Sequence, residues 1–132
     1  MTVIDTSAVV DFLLGVGVAA DVERLMQDEG ELAAPDVLVF ETLAVMRREV
    51  LRGGLAEQRA AGAVNDLGEL PVELFPSLLL RGRAWQLRND LNAADALFVA
   101  LAEALAEPIA TKDSALADAT RRHSSAMALT LA

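Results

Sequence analysis

Val3-Ile4-Asp5-Thr6-Ser7-Ala8-Val9-Val10-Asp11-Phe12-Leu13-Leu14-Gly15 opens the chain with an apolar pair, an acid and an apolar run closed by glycine. Val3 and Ile4 predict a short buried strand ending at Asp5. Ala8 to Leu14 predict a helix that Gly15 and Gly17 stop. A strand that runs straight into a helix is the first half of a parallel crossover, and the rest of the chain continues the alternation.

Working outward, the pattern predicts a helix from about Val18 to Asp28, with Val22, Leu25 and Met26 spaced three and four apart. Leu32 to Ala34 read as a strand closed by Pro35. Asp36 is positioned to cap a long helix that ends near Arg52, before Gly53 and Gly54. Further helices are expected over Leu55 to Leu67, Ser77 to Arg88, Asn92 to Leu105 and Ser114 to Arg122. Strands are expected at Val72 to Phe75, Ile109 to Thr111 and Met127 to Leu131. Such alternation implies an α/β fold with a parallel sheet covered on both faces. In such sheets function gathers outside the carboxyl ends of the strands, which is where Asp5 and Asp113 fall.

With 132 residues and no linker or repeat, the chain reads as a single domain, residues 1–132. A hydrophobic content of 54% and a mean hydropathy of +0.37 are high for this size, so an apolar face is expected to remain for a partner or a second copy. The absence of cysteine excludes disulfides, thiolate metal sites and a thiol nucleophile, and fits a reducing, cytoplasmic setting. Met1 to Ala20 is apolar but lacks a basic start and is broken by Asp5 and Asp11. It is expected to be folded protein, neither signal peptide nor membrane span.

The net charge of -9 argues at first against a polyanionic substrate. The charge is uneven, however: residues 47 to 88 hold seven arginines against five acids, and the remainder four cations against fifteen acids. A basic stretch inside an acidic chain leaves nucleic acid open as a ligand.

Four acids stand at the edges of apolar runs: Asp5, Glu41, Asp95 and Asp113. Asp5 serves equally well as a helix cap or a ligand. Asp95, three residues after Asn92, fits a capping box. Asp113 can cap the helix starting at Ser114, with Lys112 beside it to neutralise it or to reach a phosphate. Glu41 lies a full turn past its helix start between Val37, Leu38, Ala44 and Val45, so capping does not explain it. Buried charges are paired or coordinate metal, so Glu41 meets either an arginine from elsewhere or a cation.

Converging carboxylates repel by ~4 kcal/mol per close pair at an effective dielectric of about 20. Protonation or a cation must relieve that. Oxygen ligands without Cys or His favour a hard octahedral ion, Mg²⁺ or Mn²⁺, over zinc. Such an ion lowers the pKa of bound water and stabilises both oxygens of a phosphodiester displacement, so metal-assisted hydrolysis is the expected chemistry.

Val3-Ile4-Asp5-Thr6-Ser7, Phe40-Glu41 leading into Arg47-Arg48, Ala94-Asp95-Ala96-Leu97 and Thr111-Lys112-Asp113 follow one another in that order. Together they resemble the PIN-domain ribonucleases, specifically the VapC toxins of bacterial toxin–antitoxin pairs, across essentially the whole chain. The resemblance implies a three-layer fold with a short parallel sheet of about five strands, metal-dependent RNA cleavage, a homodimer and inhibition by a cognate antitoxin. On it, Asp5, Glu41, Asp95 and Asp113 are the catalytic metal ligands, and a metal-activated water is the nucleophile. Ser7 and Thr111 orient the carboxylates. Some members carry a further acid where this chain has Leu116, so no fifth ligand is assigned, and Asp118 reads as a solvated helix residue. Asn92 stands where the family often has Thr or Ser, and still serves as a cap.

Arg47, Arg48, Arg52 and Lys112 are the expected RNA contacts, with Arg81, Arg83 and Arg88 as further phosphate candidates. Arg81 and Arg83 can equally meet the inhibitor. Trp85, the sole tryptophan in a chain without tyrosine, is expected to pack in the core or an interface. His123 reads as a surface residue. The competing class is a non-catalytic, protein-binding PIN-like domain whose acids are structural. A phosphoacceptor domain is disfavoured because Val72-Glu73-Leu74-Phe75-Pro76 supplies no aspartate after its strand.

Overall fold

The computed structural model describes all residues, Met1–Ala132. The strands are β1 (Val3–Ile4), β2 (Leu32–Pro35), β3 (Val72–Phe75), β4 (Ile109–Thr111) and β5 (Ala128–Thr130). They form one sheet of order β3-β2-β1-β4-β5, parallel throughout. The helices are α1 (Thr6–Leu14), α2 (Ala19–Glu29), α3 (Val37–Leu51), α4 (Glu57–Leu67), α5 (Arg81–Gln86), α6 (Ala93–Leu105) and α7 (Ser114–His123).

The central strand is the first one in the chain. From β1 the chain steps outward to β2 and β3, then returns to add β4 and β5 on the other side. Right-handed crossovers therefore place α1 to α4 on one face and α5 to α7 on the other. The direction of winding reverses between β1 and β4, where Ile4 lies beside Ala110, and that is the switch point at which such sheets bind ligands.

Burial explains the centre: Val3, Ile4, Ala33, Ala34 and Ile109 are fully excluded from solvent. α6 crosses β1, β2 and β4 and buries Ala96, Phe98, Val99, Ala100, Leu101 and Ala102. Burying its largest residue, Phe98, alone is worth about 1.5–3 kcal/mol. Gly15 closes α1 in the left-handed region with φ 67°, a conformation that costs glycine nothing.

Two local expectations fail. Asp36 makes no capping bond to α3; its Oδ1 instead accepts from the Ser77 amide at 3.1 Å and from the Ser77 hydroxyl, tying the α3 entrance to the chain leaving β3. The helix expected over Ser77 to Arg88 is a 3₁₀ turn at Ser77–Leu80 followed by the six-residue α5. Pro76 and the Asp36 bonds to Ser77 fix the entry, and Leu78 and Leu79 point outward, 70% and 76% exposed.

The apolar surplus is visible on the surface. Phe40, Leu51, Leu78, Leu79 and Trp85 are all more than half exposed. Trp85 is therefore no part of the core: the Arg88 guanidinium lies 4.7 Å from its ring centroid. No helix is long and apolar enough to cross a membrane.

Candidate active site

The short strand β1 delivers Asp5 to the carboxyl edge of the sheet, and β4 delivers Thr111, Lys112 and Asp113 beside it. Asp5 caps α1, accepting from the Ala8 amide at 3.1 Å. The cap and ligand readings are thus compatible, because one carboxylate oxygen still faces other donors. Ser7 Oγ lies 3.0 Å from Asp5 Oδ2 and donates to it. The Thr111 hydroxyl donates to the same oxygen and accepts the Asp113 amide at 2.9 Å.

Glu41 reaches the site from α3. The buried stripe of that helix is Leu38, Thr42 and Met46, so Glu41 flanks the apolar face instead of lying within it. It is half-buried, and the expected full burial is not found. Its Oε1 accepts the Thr6 hydroxyl, and no arginine pairs with it. Thr6 escaped the sequence reading, although its place directly after Asp5 was a usable signal.

Asp95 stands in the first turn of α6. Asn92 caps that helix as expected, its side-chain oxygen accepting from the Asp95 amide at 2.8 Å. The Asp95 carboxyl is pushed up to about 6, first by burial and then by the negative charges of Glu41, Asp113 and Asp5, against a hydrogen bond from Asn92. Burial likewise raises the Asp5 carboxyl, opposed by its bonds from Thr111, Ala8 and Ser7, with the Asp113 charge adding to the rise. Asp113 caps α7 through the Ala115 and Leu116 amides at 2.9 and 3.2 Å.

These four acids line one cleft of about 420 Å³, together with Thr6 and Ser7. No three of them are drawn close enough to form a ready cage for an ion. Each is held by its own donors, and mutual repulsion opposes closer approach. Their chemistry fits a hard divalent cation that keeps part of its water shell: the donors are all oxygen, and the charges of neighbouring acids add to the rise at Asp95 and Asp5.

The expected cations divide. Arg48 and Lys112 line the cleft, whereas Arg47 and Arg52 are not among its lining residues. Arg52 pairs with Glu49 at 2.8 Å. Lys112 does not neutralise Asp113, its neighbour in sequence; its Nζ lies 2.8 Å from both oxygens of Asp11. Arg83 is no free phosphate ligand either, since it grips Glu103 at 2.6 and 3.0 Å. His123 stays at the surface, 3.6 Å from Asp90.

A sequence profile described as PIN domain matches residues 2–122. The chain belongs to the PIN domain family. Among its relatives, Ribonuclease VapC1 of Mycobacterium tuberculosis (strain ATCC 25618 / H37Rv) is 42% identical over 118 residues, 89% of either chain. Ribonuclease VapC12 of the same strain is 34% identical over 117 residues, covering 89% of this chain and 90% of the relative. Ribonuclease VapC9 is 35% identical over 118 residues with the same coverage. Similarity of this extent places the chain among VapC-type PIN domains over about nine-tenths of its length, and the α/β fold with five parallel strands agrees with that membership.

Proposed function

We propose that this PIN domain is the toxin of a toxin–antitoxin pair, a Mg²⁺- or Mn²⁺-dependent endoribonuclease whose cognate antitoxin silences it. The observation that carries the reading is the gathering of Asp5, Glu41, Asp95 and Asp113 around one cleft at the sheet's switch point. Relatives named ribonucleases across nine-tenths of the chain support it.

In this proposal the four carboxylates hold the ion, directly or through water. When bound, the ion supplies Lewis acidity at the phosphodiester and lowers the pKa of water. Ser7 and Thr111 fix the Asp5 carboxylate, and Thr6 fixes Glu41. Donors of this kind orient ligands and restrict their rotation. Asp95, whose carboxyl is pushed up to about 6 by burial and then by its acidic neighbours, is favoured in its charged form by a neighbouring cation. Arg48 at the cleft wall, with Arg47 beside it on α3 and Arg52 just past the end of that helix, meets RNA phosphates. The exposed apolar residues on α3 and around α5 suit burial in a homodimer or against the antitoxin.

The test is cleavage of single-stranded RNA by the free protein, with EDTA and with Mg²⁺ or Mn²⁺ restored. Activity that EDTA abolishes and either ion recovers, and that Asp5→Asn lacks while keeping its thermal transition, meets the proposal. Cleavage indifferent to EDTA overturns the metal mechanism, and no cleavage under any ion overturns the ribonuclease.

A further inference from the structure

We infer that Asp11 is a positioning residue that holds the Lys112 ammonium in the cleft wall, where it donates to a phosphate of the bound strand. The inference rests on the ribonuclease reading and adds to it a residue outside the four acids. Asp11 lies on α1 among Ala8, Val9 and Leu13, all buried, and its side chain is only 7% exposed. An apolar residue of similar size would pack there at least as well, because a buried ion pair is a weak source of stability. A carboxylate at this point needs another explanation.

The surroundings hold that carboxylate still. The Val18 amide donates to Asp11 Oδ2 at 3.1 Å. A Cβ on Gly17 would fall 2.1 Å from the same oxygen, and Gly17 has φ +52°. The turn between α1 and α2 therefore closes over Asp11 in a way that only glycine permits without displacing it. On the open side stands Lys112, 41% exposed, with Nζ equidistant from the two carboxylate oxygens. Both residues line the same cleft as Asp5, Asp95 and Asp113.

An ammonium carries three N–H donors. Asp11 takes two of Lys112's, and no other protein atom takes the third. A lysine free to swing would lose side-chain entropy on binding; one already anchored loses less. Lys112 also sits between Thr111 and Asp113, at the carboxyl edge where the acids gather. An RNA phosphate entering a cleft lined by carboxylates needs a fixed cation there, and Lys112 is the one the fold immobilises.

Four variants separate positioning from mere structural pairing. RNA binding is measured with a fluorescent single-stranded RNA in EDTA across a salt series, and KM and kcat with Mg²⁺ or Mn²⁺. Lys112→Met should weaken binding about tenfold, the loss expected for one charge-assisted contact, and should flatten the salt slope by roughly 0.7. Asp11→Leu combined with Lys112→Met leaves no orphan charge, so its thermal transition should return toward wild type while its RNA affinity stays low. Lys112→Arg should recover part of the affinity, and Asp11→Asn should raise KM more than it lowers kcat. If the double variant binds RNA as tightly as wild type with the same slope, the pair is structural and the inference is overturned. If wild type cleaves no RNA under any ion, the ribonuclease reading fails and the inference falls with it.

Discussion

Thr111 joins the two strands that meet at the switch point: its hydroxyl donates to the Asp5 carboxylate and accepts the Asp113 amide at 2.9 Å. One buried oxygen atom thus sets the orientation of the acid that follows β1 and the start of the loop carrying an acid after β4. Thr111→Val keeps the shape and removes both bonds. We expect RNA cleavage to fall by about 10- to 100-fold, as for loss of a group that orients a metal ligand. Steady-state rates at saturating Mg²⁺ check this, with circular dichroism confirming the fold.

The raised Asp95 carboxyl makes stability depend on pH in the metal-free protein. Its folded-state value, about 6, lies above the ordinary 3.8, so the folded state binds more protons. Stability from this group is fully present below about pH 4 and is lost as pH rises through 6. Asp5, raised by burial, acts in the same direction. In EDTA, Tm should therefore rise as pH falls from 7.5 to 5.5. Asp95→Asn should flatten that dependence, as should saturating Mg²⁺ if the ion binds; an unchanged slope in Asp95→Asn assigns it elsewhere.

The opposite sign is expected at the clamp between α5 and α6. Arg83 holds the Glu103 carboxyl below its ordinary value, with Ser124 assisting. That contribution is present above about pH 4.5 and fades as pH falls through the depressed value. Arg83 is 39% exposed, so solvent screening limits the pair. Glu103→Gln should cost about 1 kcal/mol at pH 7 and progressively less under acid, measured by urea unfolding.

Thr42 offers a stabilising change. It is fully buried on α3, and its hydroxyl has no hydrogen-bond partner. Thr42→Val removes an orphaned polar group while keeping the branched shape, and should raise stability by about 1 kcal/mol. Urea unfolding of the metal-free protein checks the value; a loss of stability would mean that an ordered water serves the hydroxyl.

Most of the architecture was legible because periodicity carries it. β1 in Val3 and Ile4, β3 between its prolines and the nearly all-apolar α6 each follow from spacing and punctuation alone. The caps at Asn92 and Asp113 followed from residue type. Glu41 was found for a partly mistaken reason: its neighbours are apolar, yet the buried stripe runs through Leu38, Thr42 and Met46, one position away. Asp36 was misread because a capping residue and a residue that receives Ser77 look alike in sequence. Asp11 was missed because its partner Lys112 lies about a hundred residues away. Local rules carry no information about such a pair.

The sheet order has one more consequence, in the sequence of events during synthesis. β1 leaves the ribosome before the other four strands but occupies the middle of the sheet, and its second neighbour, β4, starts only at Ile109. A nascent chain that has released α1 to α4 already displays Asp5 and Glu41, yet it lacks Thr111, Lys112 and Asp113. Any polypeptide ended before residue 109 by a broken message is therefore built without the lysine and one of the four acids of its cleft. The order of the strands makes synthesis through β4 and the loop after it a condition for assembling the site.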